Sequence, residues 1–511
     1  MRRAGSLTVL FALGAIACAS APPPAPKPAP TLAPAPRPAP VPDKVEVSAE
    51  PPVQPPASMT ERPQLSPLPL FAPPLPEIHR LKNGLEVQLV GKRSVPLVAL
   101  SLVVRAGSAA DPAALPGLAA ATADMLDEGA GKRSAIEIAD ALAELGTQVQ
   151  IVAGRDGSVL TLEVLGRNVE PALALMGDLV VRPRLDEADW KRVREQRKAQ
   201  LLAARDRPDQ VARDVGDRVL FGDEHPYGRP MQGTPESVEK IGVRDLAQFH
   251  ARWYRPSNAT LVVVGSLGWR ELGPMLERAL GGWKKGQAPA LKVPVTRASA
   301  PRLVVVDKPG APQSVVHVLA RGVARATADY EALQAMATVL GGSFTSRLMQ
   351  NLREKNGYTY GARSHFTFLR SAGTFEATAA IFTAKTAPGL QELLKELSGI
   401  LAAEVSPAEL SKAQSLLDHQ LVEGSQTGLG LGRLYAELAI VGLPPARVAE
   451  QAARLARLTP AALLEHARKV IGAPDHTTIV IVGDRKTIDQ DLAPLGLPAP
   501  EIRGLDGVKM K

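Results

Sequence analysis

Pro256-Ser257-Asn258-Ala259-Thr260-Leu261-Val262-Val263-Val264-Gly265 is a turn feeding an apolar run, and it returns as Pro474-Asp475-His476-Thr477-Thr478-Ile479-Val480-Ile481-Val482-Gly483. The offset is 218 residues, and two other passages recur at nearly the same spacing. Leu102-Val103-Val104-Arg105-Ala106-Gly107 returns as His317-Val318-Leu319-Ala320-Arg321-Gly322, and the helix start at Asp186 returns at Ser406, at offsets of 215 and 220. Each echo alone is short. Their agreement argues for two homologous halves, joined near Gly286 to Arg302, where Pro, Ala and Lys accumulate.

Outward from those passages, each half mixes strands and helices. Leu85 to Leu89 and Leu97 to Arg105 read as strands, and Pro116 to Leu126 as a helix. Ser134-Ala135-Ile136-Glu137 has the pattern of a capping box, opening a helix that Gly146 closes. Thr147 to Ala153 and Ser158 to Leu165 alternate like a hairpin around Gly154-Arg155-Asp156-Gly157. Ser406-Pro407-Ala408-Glu409 places a cap, a proline at the first helical position and a returning Glu. Strands joined by short turns, with helices gathered between them, predict an α+β fold: two domains, 75–290 and 301–497, each an antiparallel sheet with helices on one face.

The 511 residues suffice for several buried cores, and 45% hydrophobic with 22% charged is the balance of a globular chain. The N-terminus reads as an export signal. Arg2 and Arg3 precede the apolar run Leu7 to Ala17, which is too short to span a bilayer comfortably. The run ends at Ala15-Ile16-Ala17-Cys18, the pattern of a bacterial lipoprotein signal, and Cys18 is the only cysteine in the chain. Residues 1–17 are then the signal and Cys18 the lipid attachment; a plain cleaved signal is the alternative. One thiol excludes an intramolecular disulfide. Residues 18–74 are rich in Pro and Ala with little periodicity, a composition expected to stay disordered as a tether. Beyond the signal no apolar run nears the length of about 18 residues that a spanning helix needs. The net charge of +8 has a local source in Lys191, Arg192, Arg194, Arg197 and Lys198, read here as a solvated helix face. Neither aromatic interleaving nor a nucleic-acid motif accompanies it.

A resemblance enters with Leu81-Lys82-Asn83-Gly84-Leu85-Glu86-Val87, Ser101 to Gly107 and Gly117-Leu118-Ala119, which look like the opening of an M16 (insulinase-like) peptidase domain. His225-Pro226-Tyr227-Gly228-Arg229-Pro230 and Tyr254-Arg255-Pro256-Ser257-Asn258 continue it. So do Leu340-Gly341-Gly342-Ser343-Phe344-Thr345-Ser346-Arg347-Leu348 and Leu352-Arg353-Glu354-Lys355-Asn356-Gly357-Tyr358-Thr359-Tyr360. The resemblance implies paired α+β domains that form half of a hollow clamshell. Active members carry His-x-x-Glu-His on the helix after Gly-Leu-Ala, two imidazoles on one helical face for zinc and a Glu to activate water. Here those positions fall on Ala120, Ala123 and Asp124, and the third ligand position falls on Gln200, with Glu195 less well aligned. The motif is emptied, so no zinc is expected on this chain. Asp124, Asp127 and Glu128 lie close in sequence but read as a solvated acidic helix end, and His225 reads as structural.

Arg353 and Tyr360 are retained, seven residues apart. The resemblance implies that such a pair hydrogen-bonds the scissile carbonyl and its developing oxyanion at a zinc site carried by another subunit. The Gly341-Gly342 turn is similar to the glycine-bearing loop that non-catalytic partners present to substrate. The expectation is a non-catalytic, peptide-binding subunit of a heterodimeric M16B-type peptidase, lipid-anchored, periplasmic-facing and preferring the outer membrane. Its partners would be a zinc-bearing M16 subunit, unfolded peptide and, through the lipid, the membrane, with no nucleic acid. A scaffold or peptide-binding protein of M16 descent without a peptidase partner is the alternative. Unrelated hydrolase chemistry lacks a Gly-x-Ser-x-Gly turn, a phosphate loop or a Cys/His pair to carry it.

Overall fold

The repeated apolar runs become central strands of two six-stranded sheets. The computed structural model describes residues 71–295, 302–473 and 476–510. The signal, Cys18 and nearly all of the tether lie outside the described residues, as does part of the join.

The first sheet contains β1 (Glu77–Arg80), β2 (Glu86–Gly91), β3 (Leu97–Val104), β4 (Gln150–Ala153), β5 (Ser158–Leu165) and β6 (Ala259–Gly265), in the order β1-β2-β6-β3-β5-β4. The second contains β7 (Leu303–Asp307), β8 (Gln313–Gly322), β9 (Thr359–Phe368), β10 (Gly373–Phe382), β11 (Thr478–Gly483) and β12 (Glu501–Arg503), in the order β12-β7-β11-β8-β10-β9. From β2 and β7 onward the two orders correspond strand for strand, and only the outermost strands, β1 and β12, have different origins.

The α+β class holds, with one correction to the sheets. They are mixed rather than wholly antiparallel, because β2 runs parallel to β6 and β7 parallel to β11. In each half the last central strand returns through a long helical connection and inserts beside the first. Parallel neighbours require a crossover of that kind.

The helices that cover the sheets and frame the site are α1 (Leu118–Asp124), α2 (Ala135–Glu144), α3 (Glu187–Ala204), α4 (Pro208–Phe221), α5 (Tyr330–Gly341), α6 (Pro407–Gln426) and α7 (Gly428–Val441). Ser134 and Ser406 cap α2 and α6 as capping boxes, each hydroxyl accepting from the N–H of the Glu three residues on. Asp186, the other expected cap, instead turns its carboxylate to Arg184.

Helices cover both faces of each sheet, not one. Every residue of β6 is buried, which explains an uninterrupted apolar strand where a half-covered sheet would alternate. The second cover is exchanged between halves. Val211, Val215 and Leu220 of α4 pack on Val304, Val306 and Val480 of the second sheet. Leu431, Tyr435 and Leu438 of α7 pack on Val90, Val262 and Val264 of the first. Burying each such aliphatic side chain contributes about 1.5–3 kcal/mol, so either helix is a large fraction of a domain's net stability. Among the described residues no helix is long and apolar enough to cross a membrane.

Candidate functional site

α1 begins abruptly. Gly117 sits at φ 92°, and a Cβ there would meet the Gln232 carbonyl oxygen at 2.7 Å. The Asp111 carboxylate accepts from the N–H groups of Gly117 (2.7 Å) and Ala119 (2.8 Å), satisfying donors that a helix start leaves open. Burial pushes the Asp111 carboxyl up to about 7, against those two bonds and the nearby Arg229. The start of the helix is thus fixed in place by Asp111.

Its side chains cannot do the chemistry. Ala120 and Ala123 are buried in the apolar core, and a methyl group cannot ligate a cation. A cavity of 380 Å³ at the end of α1 is lined by Ala123, Asp124, Asp127, Glu128, Arg197 and Gln200. The fold therefore brings Ala123, Asp124 and Gln200 to one place, whereas Ala120 does not line it. Gln200 offers an amide where a zinc ligand would be a carboxylate.

Arg197 departs from the expectation of a solvated basic face. It is 5% exposed. Its guanidinium forms an ion pair with Asp124 and donates to the Gln232 carbonyl oxygen at 3.0 Å. A covalently tethered cation thus answers the remaining acid at the emptied motif. It has no open coordination position, so it can neither bind nor activate water as a metal does. The spacing of Arg197 and Gln200, one helical turn apart, is the signal in the sequence that could have found it. The rest of the basic group does lie near the surface, with Arg192 on Glu128 and Lys198 on Glu239 at 2.7 Å.

The neighbouring acids do not make a replacement site. Asp124 and Glu128 are already paired with arginines. Burial first, then the charges of Glu128 and Asp124, push the Asp127 carboxyl up to about 6. The donor set does not fit zinc, and among the described residues no cluster of His, Cys, Asp and Glu is arranged for a metal. His225 is held between the Pro294 carbonyl oxygen (2.8 Å) and the Tyr227 N–H (3.1 Å), beside the Phe221 ring.

Arg353 and Tyr360 stand on the second half and do not line the Asp124 cavity. Arg353 lies 4.4 Å over the Phe344 ring, with Nε 3.3 Å from Glu354. Tyr360 is 76% exposed, edge-on to Phe382, at an irregularity in the register of β9 between Thr359 and Ala362. Gly341 has a packing role. A Cβ there would be 2.2 Å from the Ser364 nitrogen, so its lack of a side chain lets α5 close on β9.

A cavity of 1290 Å³ opens beside the Asp124 cavity and shares Asp127, Val149 and Gln150 with it. One wall is β4, the free edge of the first sheet, with Val152 53% exposed. The opposite wall is α7, through Leu429, Arg433 and Ile440. An unpaired strand edge along an apolar groove is chemically suited to an extended backbone.

Comparison with known proteins agrees with this geometry. Residues 87–230 match the family model described as insulinase (peptidase family M16), and residues 240–417 match the one described as the peptidase M16 inactive domain. An uncharacterized zinc protease of Mycobacterium leprae is 26% identical over 346 residues, covering 67% of this chain and 78% of that protein. A peptidase M16 inactive domain from Pseudomonas fluorescens superimposes with a TM-score of 0.75 at 25% identity, over 80% of this chain and 98% of its own. The periplasmic protease PqqL of Escherichia coli superimposes with a TM-score of 0.68 at 18% identity, over 83% of this chain but 48% of its own.

Proposed function

We propose that this chain, which belongs to the M16 (insulinase) peptidase family, serves as a non-catalytic, peptide-binding subunit beside a zinc-bearing M16 partner. The observation that carries the reading is the emptied motif, with Arg197 on Asp124, combined with a part-exposed Arg353 and an exposed Tyr360 that face no metal-ligand cluster among the described residues.

In this mechanism an extended peptide adds to the free edge of β4, held through its backbone and by apolar contacts with α7. Arg353 and Tyr360 donate hydrogen bonds to the scissile carbonyl in the partner's site, where the zinc resides, and stabilise the charge that develops on its oxygen. Residues 1–17 direct export, and Cys18 carries a lipid that holds the protein at the envelope facing the periplasm, with the outer membrane preferred. The periplasmic neighbour is consistent with that address.

The test is co-expression with a zinc-bearing M16 chain. Removing one oxyanion donor in a peptidase costs about 10²–10³ in kcat, so Arg353→Ala and Tyr360→Phe should slow turnover strongly while the assembled pair stays intact. Unchanged turnover in both variants rejects the role. Peptide binding by this chain alone, with no peptidase partner assembling on it, would favour the scaffold reading; a groove built entirely within one chain permits it.

A further inference from the structure

The groove continues past β4. Beyond the hairpin turn a third cavity, of 320 Å³, shares Gly154, Gly157, Glu437 and Ile440 with the large one. The three cavities thus adjoin in a row, with the Asp124 cavity at one end and this chamber, where Arg325 and Asp156 meet Phe366 and Phe368, at the other.

Arg325 lines the chamber. Its guanidinium stacks 3.4 Å over the Tyr330 ring, and its backbone N–H is fixed on the Leu369 carbonyl oxygen at 2.8 Å. Nη1 is buried without a hydrogen-bond partner. Among the described residues no carboxylate pairs with Arg325, and burial lowers its affinity for its proton.

The other charges nearby are matched. Asp156 accepts from the Tyr227 hydroxyl (2.7 Å) and the Arg370 N–H (2.6 Å). Arg155 pairs with Asp217, and Glu437 accepts from Arg433 at 3.0 Å. Glu331 is held by both terminal nitrogens of Arg447, at 2.8 and 3.1 Å. Glu331 and Glu437 act on Arg325 only at a distance, with neither within ion-pair reach, so the half-buried guanidinium lacks a direct anionic partner, and an anion entering the chamber would supply one.

We propose that the chamber is an anchoring subsite for a carboxylate of the bound peptide, seated on Arg325 while the backbone pairs with β4. The inference rests on the peptide-binding reading above. With a rise of about 3.3 Å per residue along β4, the anchored group belongs about four to six residues from the peptide residue opposite Gln150. Antiparallel addition to β4 brings the peptide's N-terminal side to Arg325 and makes the group an Asp or Glu side chain. Parallel addition makes it the C-terminal carboxylate.

The experiment is fluorescence anisotropy of the chain with labelled, otherwise neutral ten-residue peptides. A single Glu, or Gln in its place, is moved along the peptide, and the C-terminus is free or amidated. A charge-assisted hydrogen bond to Arg325 should make one Glu position, or the free C-terminus, bind about tenfold or more tighter than its amide. Arg325→Gln should erase that preference and leave neutral peptides binding as before, while Arg325→Lys keeps part of it. Equal binding of acid and amide at every position overturns the anchor but leaves the peptide groove standing. A preference that survives in a folded Arg325→Gln variant overturns the assignment to Arg325. Failure of every peptide to bind overturns both readings. Should Arg325→Gln not fold, the acid and amide peptides on the unaltered chain and on Arg325→Lys still decide the matter.

Discussion

Asp124 is the one acid left where the family pattern places imidazole, and Arg197 answers it from α3. The two partners are unequal. Arg197 is buried, whereas the Asp124 side chain is 41% exposed. Asp124→Ala therefore leaves a buried cation short of its counter-charge and should cost about 1–3 kcal/mol of stability. Arg197→Met removes the charge, replaces it with apolar volume and leaves Asp124 within reach of water, so it should cost less than Asp124→Ala. Urea unfolding of the two variants checks the order, and the reverse order would mean that the guanidinium is held by its other contacts. The sequence showed that the donor set was emptied but not that an arginine had filled the place. A basic residue on an amphipathic helix faces water or core according to its neighbours in space, and α3 carries several.

At the scale of elements, the retained groups sit on parts that pack tightly. α5 approaches β9 at Gly341, where an added Cβ would press on the Ser364 nitrogen at 2.2 Å and the Arg363 carbonyl carbon at 2.6 Å. Backbone cannot move aside as a side-chain end can. Gly341→Ala should therefore destabilise the protein by about 1–3 kcal/mol, the usual range for overpacking, or more. Thermal melting compared with Gly310→Ala separates crowding from a general glycine effect, because a Cβ at Gly310 meets nothing within 4 Å and only its φ of +71° opposes it. A loss at Gly341 no larger than at Gly310 would return Gly341 to the loop role expected from its sequence. Capping boxes at Ser134 and Ser406 were legible because they are local: four residues contain both partners. The crowding at Gly341 was not, because its cause lies more than twenty residues away on another strand.

The whole molecule is a duplication that has ceased to be two separable units. Each half lends a helix to the other's sheet, α4 to the second and α7 to the first. Calorimetry should therefore show one cooperative unfolding transition for residues 69–511 rather than two. A fragment of 75–290 alone should fail to fold, since β6 would keep one apolar face in water. Two resolved transitions, or a soluble cooperative fragment, would contradict the exchange. The same arrangement builds the groove, because α7 of the second half forms the wall facing β4 of the first.

By itself the sequence determined the duplication, the α+β class and the family resemblance, and it was enough to propose the loss of zinc donors and a functional pair in Arg353 and Tyr360. All of these are carried by residue identity and by spacing along the chain. Tertiary structure decided which helix covers which sheet, that Arg197 turns inward to Asp124, and that β4 is a free edge beside a row of adjoining cavities that reaches Arg325. Those facts depend on which surfaces meet after the chain has folded back over hundreds of residues, and local pattern carries no record of that choice.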